Sequence, residues 1–594
     1  MFEDVDFSWF DSGLLDLKVP TSGDMASCDT GVAAHDKAND NADSTSTSNR
    51  YLGSLFRIRS EAYQRCAWTS WHPSRFQHSF HGQDVINLGA GNSRERTTLL
   101  MKASTGRMMG STLDDACRDH LLVLVTAMKI SHFSIHSFPP AELLNDLVRF
   151  FFVQESASLV PSIHPSTFSC FHARPELLLG IIAAGAVVVP ERRIQVTGLV
   201  MHEILRAAMA QLYESDNSTT RDLQALQAYL RALEVGAWSG LKRKTEIACS
   251  FMQPGYTMLF QAGAFSSPPE QELAGGLDQG AQELDTVWKS WAMRESLKRL
   301  AIRAFIHDSQ VSMAYFQAPT ISYAELNMAV PYPPSLWFAE GSKEWRQDFL
   351  RCNSGPRRLL LTEVLADVTV LETCSGEADL QLCCFATIHA LANQISFLLE
   401  YVMMALHAPM AYIQRFAGKE GESEARRVAP IVLRRARDFP PTTLQNFYAV
   451  ATYHAALVLW TYSLLGNQSP TPAEIVISDG INRNGSTDNS SMTLVMLDGE
   501  ENDDARAFCT LGHGTPGLSH PAYTGVKGTF CTLADPVLIM QLAADTLRGN
   551  LHCTDHAPPL LVGNLIGLME DLGSSLGHSS TGRSSHTSTT GSTG

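Results

Sequence analysis

Apolar residues recur every three or four positions through the central part of the chain, which is the spacing of one α-helix face. The pattern is clear in Ala141–Phe151, which follows a proline pair. It returns in Leu223–Leu233, behind Thr219 and Asp222 at the spacing of a capping box. Leu297–Phe305 carries a third such face. These stretches predict amphipathic helices packed on a common core.

Other stretches are apolar almost all round, which indicates interior helices. These are Leu177–Val189, Phe385–Leu406 and Tyr448–Leu465. Strand-like runs are short, at Ile475–Ser478 and Met492–Leu497. We therefore predict an all-α fold class, a large multi-helix domain with disordered N- and C-terminal tails.

Changes in composition divide the chain into segments. Stretches of Ser, Thr, Asn, Asp and Gly without large apolar side chains predict linkers and tails, because they cannot bury a core. The predicted layout is an acidic-hydrophobic segment at 1–20, a largely disordered linker at 21–112, the helical body at 113–466, a loop-rich linker at 467–519, a C-terminal helical segment at 520–575 and a disordered tail at 576–594.

The first 18 residues interleave five acidic residues with aromatic and leucine side chains. Such interleaving is typical of disordered activation segments, whose apolar residues a partner's groove captures as a short helix. The alternative is an ordinary terminal helix with its acidic residues in solvent. The residues leave both interpretations open.

The net charge of -16 removes a broad basic surface as an argument for nucleic-acid binding. The start, Met1–Asp4, is acidic where a signal peptide would be basic. The best membrane candidate, Leu177–Val189, is shorter than the roughly 20 residues that a span needs. We therefore predict an intracellular chain with no membrane contact and, since the 12 cysteines are scattered, free thiols.

The spacing of possible metal ligands gives only weak support for a metal site anywhere in the sequence. The nearest approach to a zinc site is Cys66 with His72, His78 and His81, whose spacings match no finger motif. We predict a loop with incidental histidines there, and no metal residues in the chain.

Several fragments resemble enzyme motifs. Asp84–Asn92 is similar to the strand and glycine turn that holds S-adenosylmethionine in methyltransferases, but no alternating strand-helix series follows it. His202-Glu203 begins like a zinc-protease helix, but Arg206 replaces the second histidine. Gly573–Gly577 matches a nucleophile elbow in letters only. We predict no catalytic and no cofactor-binding residues.

Two further polar features are interpreted as surface. His307-Asp308 is predicted to be a helix-end histidine beside a solvated carboxylate. Basic residues cluster at Lys242–Lys244 and again in a run of arginines. A solvated helix face is favoured over a nuclear-import or phosphate-contacting patch for the second cluster. That second cluster contains Arg426, Arg427, Arg434, Arg435 and Arg437.

The stretch Leu159–Phe168 resembles the opening signature of the fungal-specific transcription factor regulatory domain. Its Pro-x-x-His-Pro-x-x-Phe turn is filled by Pro161, His164, Pro165 and Phe168. Further motifs similar to the family's follow in order over about 200 residues. They are Ala183–Gly185, Leu223–Leu230, Trp238–Gly240, Trp288, Trp291, Glu295-Ser296, Arg299-Leu300, Asp308, Leu336-Trp337, Ala339 and Glu344-Trp345. On the residues alone, His164 is a turn histidine bonded to backbone, and the tryptophans are core anchors.

This resemblance implies a transcriptional regulator in the nucleus, controlling a metabolic or secondary-metabolite gene set, and no enzyme activity. Its partners would be DNA, bound directly or through another protein, transcriptional coactivators and a second copy of the chain. Family members carry zinc fingers before this domain, and no recognisable finger module occurs here. The chain therefore carries no predicted cofactor, with zinc only where a finger module is missed or missing. Truncation, a fragment, and a regulator acting through a partner all remain open. A co-regulator that does not bind DNA is the alternative function, and an S-adenosylmethionine-dependent enzyme is the distant one.

Overall fold

The computed structural model describes the helical body and the C-terminal part of the chain. The described residues are 59, 61–71, 85–87, 112–128, 134–158, 160–266, 281–315, 317–322, 325–329, 331–353, 360, 432–434, 436–439, 441–466, 494–498, 503–511, 514–520, 529–551 and 557–577. The predicted helix at Phe385–Leu406, the strand at Ile475–Ser478, the segment 1–20 and the predicted tail after residue 577 lie outside them.

Helices dominate the described residues, as the all-α prediction requires. They are α1 Asp115–Ala127, α2 Ala141–Ala157, α3 Pro175–Val188, α4 Arg192–Ser215, α5 Leu223–Ala237, α6 Lys242–Ser250, α7 Met252–Gln261, α8 Ala281–Tyr315, α9 Pro334–Trp337, α10 Ser342–Asn353, α11 Asn446–Gly466, α12 Asp503–Leu511, α13 Pro536–Gly549 and α14 Leu560–Gly577. None of these described helices is long and apolar enough to cross a bilayer.

Helix α3 lies at the centre of the first helical layer, packed against α2, α4 and α5. It is apolar on nearly every side, and most of its residues are buried, which confirms the predicted interior helix at Leu177–Val189. The approach to α2 is so close that a Cβ at Gly185 would lie 2.4 Å from the carbonyl oxygen of Leu147. The small-residue stretch of the sequence therefore marks a helix crossing.

Helices α11, α13 and α14 form a second layer. Its apolar residues are continuous with those of α5, α7 and α8 in one core cluster. The predicted helices at Tyr448–Leu465 and in the C-terminal segment are confirmed as α11, α13 and α14. The letters Gly573–Gly577 fall in the last turns of α14, with no strand before them, so the elbow match is a coincidence.

Short strands accompany the helices. β1 Val85–Asn87 pairs in parallel with β2 Ser134–Ser137. β3 Leu494–Met496 pairs in parallel with β4 Thr515–His520, and β4 pairs antiparallel with β5 Thr529–Thr532. The expected strand near Met492–Leu497 is thus present as β3.

Two local features of the sequence analysis need revision. The range 467–519, expected to be loop-rich, holds β3, α12 and most of β4. Asp222, not Thr219, caps α5: its carboxylate accepts the backbone N–H of Ala225 at 2.9 Å. Thr219 instead belongs to a 3-10 turn, Asn217–Arg221. A carboxylate one residue before a helix is a strong cap, and it displaces the weaker threonine.

Candidate functional site

The signature turn at 160–168 is held by its histidine. The ring Nδ1 of His164 accepts the backbone N–H of Thr167 at 3.2 Å and lies 3.0 Å from the Thr167 hydroxyl. The backbone N–H of Phe168 donates to the carbonyl oxygen of His164 at 3.1 Å. This geometry confirms the prediction of a turn histidine bonded to backbone.

Three tryptophans surround the His164 ring, each in an edge-to-face arrangement. The ring centroids of Trp288, Trp291 and Trp337 lie 5.8, 6.1 and 4.8 Å from that of His164. All three indoles are buried, as the prediction of core anchors requires. Burial, together with the positive charge of Arg299, lowers the pKa of His164 to about 3. The His164 ring is therefore neutral at physiological pH, and its role is to pack against the three indoles.

An ion pair on α8 supports this tryptophan cage. Arg299 donates to the Glu295 carboxylate at 2.9 Å and to the carbonyl oxygen of Tyr332 at 2.5 Å. Its guanidinium carbon lies 4.2 Å from the ring centroid of Trp337, a cation–π contact. The backbone N–H of Tyr332 also donates to Glu295, at 2.9 Å. Glu295 and Arg299 thus hold Tyr332 and Trp337 in place on one side of the tryptophan cage.

A buried charge cluster ties the same turn to three helices. Glu155 of α2 accepts the backbone N–H of Ser162 at 2.8 Å. It also pairs with Arg231 of α5 at 3.3 Å and with Arg303 of α8 at 2.9 Å. Glu234 pairs with both arginines, at 2.8 and 2.6 Å. We call Glu155, Arg231, Glu234 and Arg303 the core charge cluster.

Electrostatics in this cluster favour the ionised form of Glu234. Burial alone would raise the pKa of Glu234, but Arg231 and Arg303 together lower it to about 2. A buried carboxylate between two guanidinium groups stays charged because their positive charges compensate its negative charge. The cluster therefore fixes the relative positions of α2, α5, α8 and the signature turn.

A second buried cluster joins residues that the sequence analysis kept apart. The Glu203 carboxylate lies 2.5 Å from the Lys244 ammonium and 3.1 and 3.2 Å from the guanidinium nitrogens of Arg243 and Arg206. Lys244 also donates to the carbonyl oxygen of Leu199 at 3.2 Å. His202 reaches the carbonyl oxygen of Ala232 with Nε2, at 2.9 Å. The basic run at 242–244 is therefore not a solvated face: Lys244 is fully buried.

Nothing in the sequence pattern distinguishes Lys244 from its neighbours. Lys242, Arg243 and Lys244 are consecutive, and only the packing of α6 turns the third of them inwards, beside Thr245 and Ala248. Lys242 instead reaches Glu246 at the surface, at 3.9 Å. A helix places successive side chains about 100° apart, so one basic triplet contributes to both its surface and its buried face.

The prediction for His307-Asp308 is wrong. Both residues are 2% exposed and lie well inside α8, not at its end. The Asp308 carboxylate accepts the backbone N–H groups of Thr320 and Ile321 at 2.7 and 2.8 Å. The Asp308 carboxylate therefore holds the segment that follows α8 against that helix.

The second basic cluster is described only in part, since Arg426, Arg427 and Arg435 lie outside the described residues. Arg437 is partly buried and pairs with Asp498 at 2.9 Å. The same carboxylate accepts the backbone N–H of Ser519 at 2.9 Å. Arg437 thus joins the second helical layer to the small sheet, and is not a free surface charge.

In the described part of the chain, no group of three or more His, Cys, Asp or Glu could hold a metal ion. Cys66 donates to the carbonyl oxygen of Asn564 at 3.8 Å, while His72, His78 and His81 lie outside the described residues. The glycine turn at 89–91, which follows β1, also lies outside them.

A cavity of about 30 Å³ lies where the two helical layers meet. Gln195, Trp238, Ser239, Gln445 and the first residues of α14 line it. A water needs about 10–15 Å³ of such space, so the cavity has room for one or two waters and not for an organic effector. The Gln195 amide beside it donates to the carbonyl oxygens of Val189 and Pro558, at 2.9 and 3.0 Å.

Comparison with known families places the signature turn, the cage and both charge clusters in one domain. The family described as "Fungal specific transcription factor domain" matches residues 149–362. This range begins in α2 and contains the motifs that carry the resemblance. The chain is similar to this family over residues 149–362.

Curated relatives of this fungal transcription factor domain are transcription factors by name. The chain is 25% identical over 292 residues to "Transcription factor 1" of Elsinoe fawcettii, covering 47% of this chain and 29% of that protein. It is 27% identical over 224 residues to "Transcription factor opdJ" of Penicillium oxalicum, covering 36% and 25%. It is 26% identical over 185 residues to the "Nicotinate catabolism cluster-specific transcription factor" of Emericella nidulans, covering 31% and 21%.

The matched part of the chain thus spans less than a third of the length of each of these relatives. No solved structure matches the chain.

Proposed function

We propose that this protein is a transcriptional regulator that acts in the nucleus, with residues 113–466 and the C-terminal helices as its regulatory body. The observation that carries the proposal is the intact signature of the fungal specific transcription factor domain. His164 is enclosed by Trp288, Trp291 and Trp337, and the turn that bears it is tied into the core charge cluster.

The regulated genes are proposed to form a metabolic or secondary-metabolite set. Support comes from the printed name of the Emericella nidulans relative, which assigns that protein to a nicotinate catabolism cluster. For this chain the pathway itself is not part of the proposal.

DNA contact is proposed to come from a partner or from a part of the protein outside the described body. Within that body, three of the basic residues singled out by sequence pair with internal carboxylates: Lys244 and Arg243 with Glu203, and Arg437 with Asp498. Charges committed to internal carboxylates cannot neutralise phosphates. Coactivators are proposed to bind the acidic-hydrophobic segment at 1–20, and a second copy of the chain is proposed as a further partner.

An enzyme function has less support. In the described residues β1 has one strand partner, β2. A nucleotide-type cofactor site needs a parallel sheet with helices on its faces. The relatives named above are transcription factors by name, which supports regulation over catalysis.

The proposal is tested by tethering. The full chain is fused to an unrelated DNA-binding domain and brought to a reporter promoter. A reporter change of several fold is expected, and replacing Phe7, Trp9 and Phe10 by alanine should remove most of it, because those aromatics supply the apolar contacts with a coactivator. A folded fusion that leaves the reporter unchanged would contradict the proposal.

DNA binding by the purified chain separates the direct regulator from the co-regulator. Random-sequence duplex is titrated across a salt series. Weak binding that salt abolishes supports action through a partner, because non-specific phosphate contacts are lost by counterion competition. Sequence-selective binding that needs zinc would instead assign a metal module to this chain.

A further inference from the structure

A short segment before the helical body packs across the place where its two layers meet. Residues 61–65 form a single helical turn, and residues 66–71 continue as a tight turn. This segment lies within 21–112, the range predicted as a largely disordered linker. Yet Ala62 is only 1% exposed, and it belongs to the same core cluster as α11 and α14. We call Arg59 and residues 61–71 the strap.

The strap contacts the second helical layer through side chains. The hydroxyl groups of Tyr63 and Tyr453 lie 3.0 Å apart, between the strap and α11. The Arg59 guanidinium carbon lies 4.8 Å from the ring centroid of Trp460, also on α11. Cys66 donates to the carbonyl oxygen of Asn564 on α14. These partners are about 390 to 500 positions away along the chain, so the contacts are tertiary and specific.

The strap also contacts the fungal transcription factor domain. The Trp68 ring centroid lies 6.5 Å from that of Tyr315, at the end of α8. Tyr315 in turn stacks on Trp238, with centroids 5.8 Å apart, beside the water-sized cavity. The same Trp68 ring meets Tyr453 of α11 edge to face, at 5.7 Å. One indole therefore contacts both helical layers.

One backbone contact gives the strap a defined role. Helix α6 begins at Lys242, and the residue before it, Leu241, offers no side-chain cap. The first N–H groups of any helix lack intrahelical acceptors. Here the backbone N–H of Lys242 donates to the carbonyl oxygen of Ala67 at 2.9 Å. The strap thus supplies a cap for α6, the helix that carries the buried Lys244.

A neighbouring contact connects this cap to α14. The Asn564 side chain donates to the carbonyl oxygen of Gly240 at 2.7 Å, two residues before α6. The carbonyl group of the same Asn564 accepts the Cys66 thiol. The strap, the start of α6 and the first turns of α14 therefore form one contact network.

We propose that the strap is an intramolecular coupling device: it links the start of α6 to α14 at the junction between the two helical layers. When the strap leaves its place, the start of α6 loses a hydrogen-bond acceptor and α14 loses packing on one side. The packing of the strap and the docking of α14 then change together. This inference does not rest on the proposed transcriptional function, because it concerns contacts within the chain.

The sharpest test removes the hydrogen bond between the backbone N–H of Lys242 and the carbonyl oxygen of Ala67. Lys242→Pro deletes the donating N–H at the first helical position, where proline is favoured. Leu241, which precedes it, already has the extended backbone that a residue before proline adopts, with φ −119° and ψ 115°. Lys242→Ala is the matched control, since it removes the same partly exposed side chain and its contact with Glu246 but keeps the N–H.

Hydrogen exchange of the full chain gives the readout. In Lys242→Pro, amide exchange of the strap and of the first turns of α14 should be roughly tenfold faster than in Lys242→Ala. Exchange in α3 and α4 should be the same in both. Equal strap protection in the two variants would overturn the proposal, and so would a loosened strap with α14 unchanged.

A second variant covers the case in which Lys242→Pro also exposes α3 and α4. Trp68→Ala removes the indole that contacts both layers without touching α6. Its control is Phe171→Ala, an aromatic that is 65% exposed and lies away from the strap. Faster exchange of α14 in Trp68→Ala alone supports the coupling, and identical α14 exchange in both variants contradicts it.

Discussion

The ammonium of Lys244 lies against the carboxylate of Glu203 in a region of the structure from which solvent is excluded. The two side chains are 0% and 5% exposed. Burial lowers the pKa of Lys244, while the carboxylate beside it opposes that shift. The pair connects α4 to α6, the short helix whose first N–H is capped by the strap. A buried ion pair of this kind contributes to positional specificity while both partners are present.

Removing one partner of this pair should destabilise the protein. Lys244→Met leaves Glu203 buried with only Arg206 and Arg243, and we expect a loss of about 3 kcal/mol in the free energy of unfolding. Lys289→Met is the control, because its pair with Asp285 is exposed and contributes at most about 0.5 kcal/mol. Denaturant midpoints of the two variants compare these losses. Equal midpoints would show that the buried pair is not structurally important.

A larger loss of stability is expected when the core charge cluster is disrupted. Arg231→Met leaves Glu155 and Glu234 facing each other with only Arg303 between them. We expect a loss of about 3–5 kcal/mol, the usual cost of an uncompensated buried charge. Arg351→Met serves as the surface control, since Arg351 is 64% exposed. A thermal midpoint of Arg231→Met within a degree or two of the control would contradict this role.

Acid should weaken the fold through buried histidines. Burial, with Arg299 acting on His164 and Lys244 on His202, lowers the pKa of each to about 3. Burial likewise lowers the pKa of His454 to about 3 and of His307 to about 4. The unfolded chain binds these protons near pH 6.5, whereas the folded chain does not bind them until about pH 3–4. Stability is therefore complete above about pH 6.5 and decreases as the pH falls towards 4.

Each such histidine contributes a slope of about 1.4 kcal/mol per pH unit within that window. The measurement is the thermal midpoint at several pH values between 7 and 5. His202→Gln, which keeps a donor for the carbonyl oxygen of Ala232, should reduce the slope by the share of one histidine. A midpoint that does not change between pH 7 and 5 would mean that these rings are not buried neutral.

The contact between Gly240 and α14 tests how the C-terminal helices dock. Gly240 has φ +75°, and a Cβ there would lie 2.5 Å from the backbone nitrogen of Leu561. Gly240→Ala should therefore cost more than about 2 kcal/mol, from backbone strain and from the displacement of α14. Gly567→Ala on α14 itself meets nothing within 4 Å and should stabilise the helix by about 0.5–1 kcal/mol. If both variants have the same unfolding midpoint, α14 does not dock as described.

Helices with a regular apolar period were predictable from the sequence. Leu177–Val189 and Tyr448–Leu465 form α3 and α11, because a stretch that is apolar on all sides is stable only where its side chains are buried in a core. The order of the tryptophan and histidine motifs also indicated the family, because the residues of these motifs pack against one another in the core. The prediction of His164 as a turn histidine bonded to backbone is confirmed by its contacts with Thr167.

The charged residues could not be placed in the same way. Glu203 and Lys244 are 41 positions apart, and nothing local distinguishes them from surface charges. His307 and Asp308 were interpreted as surface because a sequence does not show which helix covers them. The packing of the strap could not be predicted from the sequence, because it depends on two aromatic residues, Tyr63 and Trp68, whose partners are distant along the chain. The segment boundaries proposed for 1–20 and 576–594 remain predictions.

The proposed regulation of transcription by this protein is tested by mapping its occupancy of chromatin. The full chain is tagged in its own cell, its binding sites across the genome are mapped, and transcripts are compared with and without the protein. We expect discrete promoter sites whose neighbouring genes change expression, with the Arg231→Met variant losing both effects. A stable, folded protein with neither promoter occupancy nor any change in transcripts would contradict it.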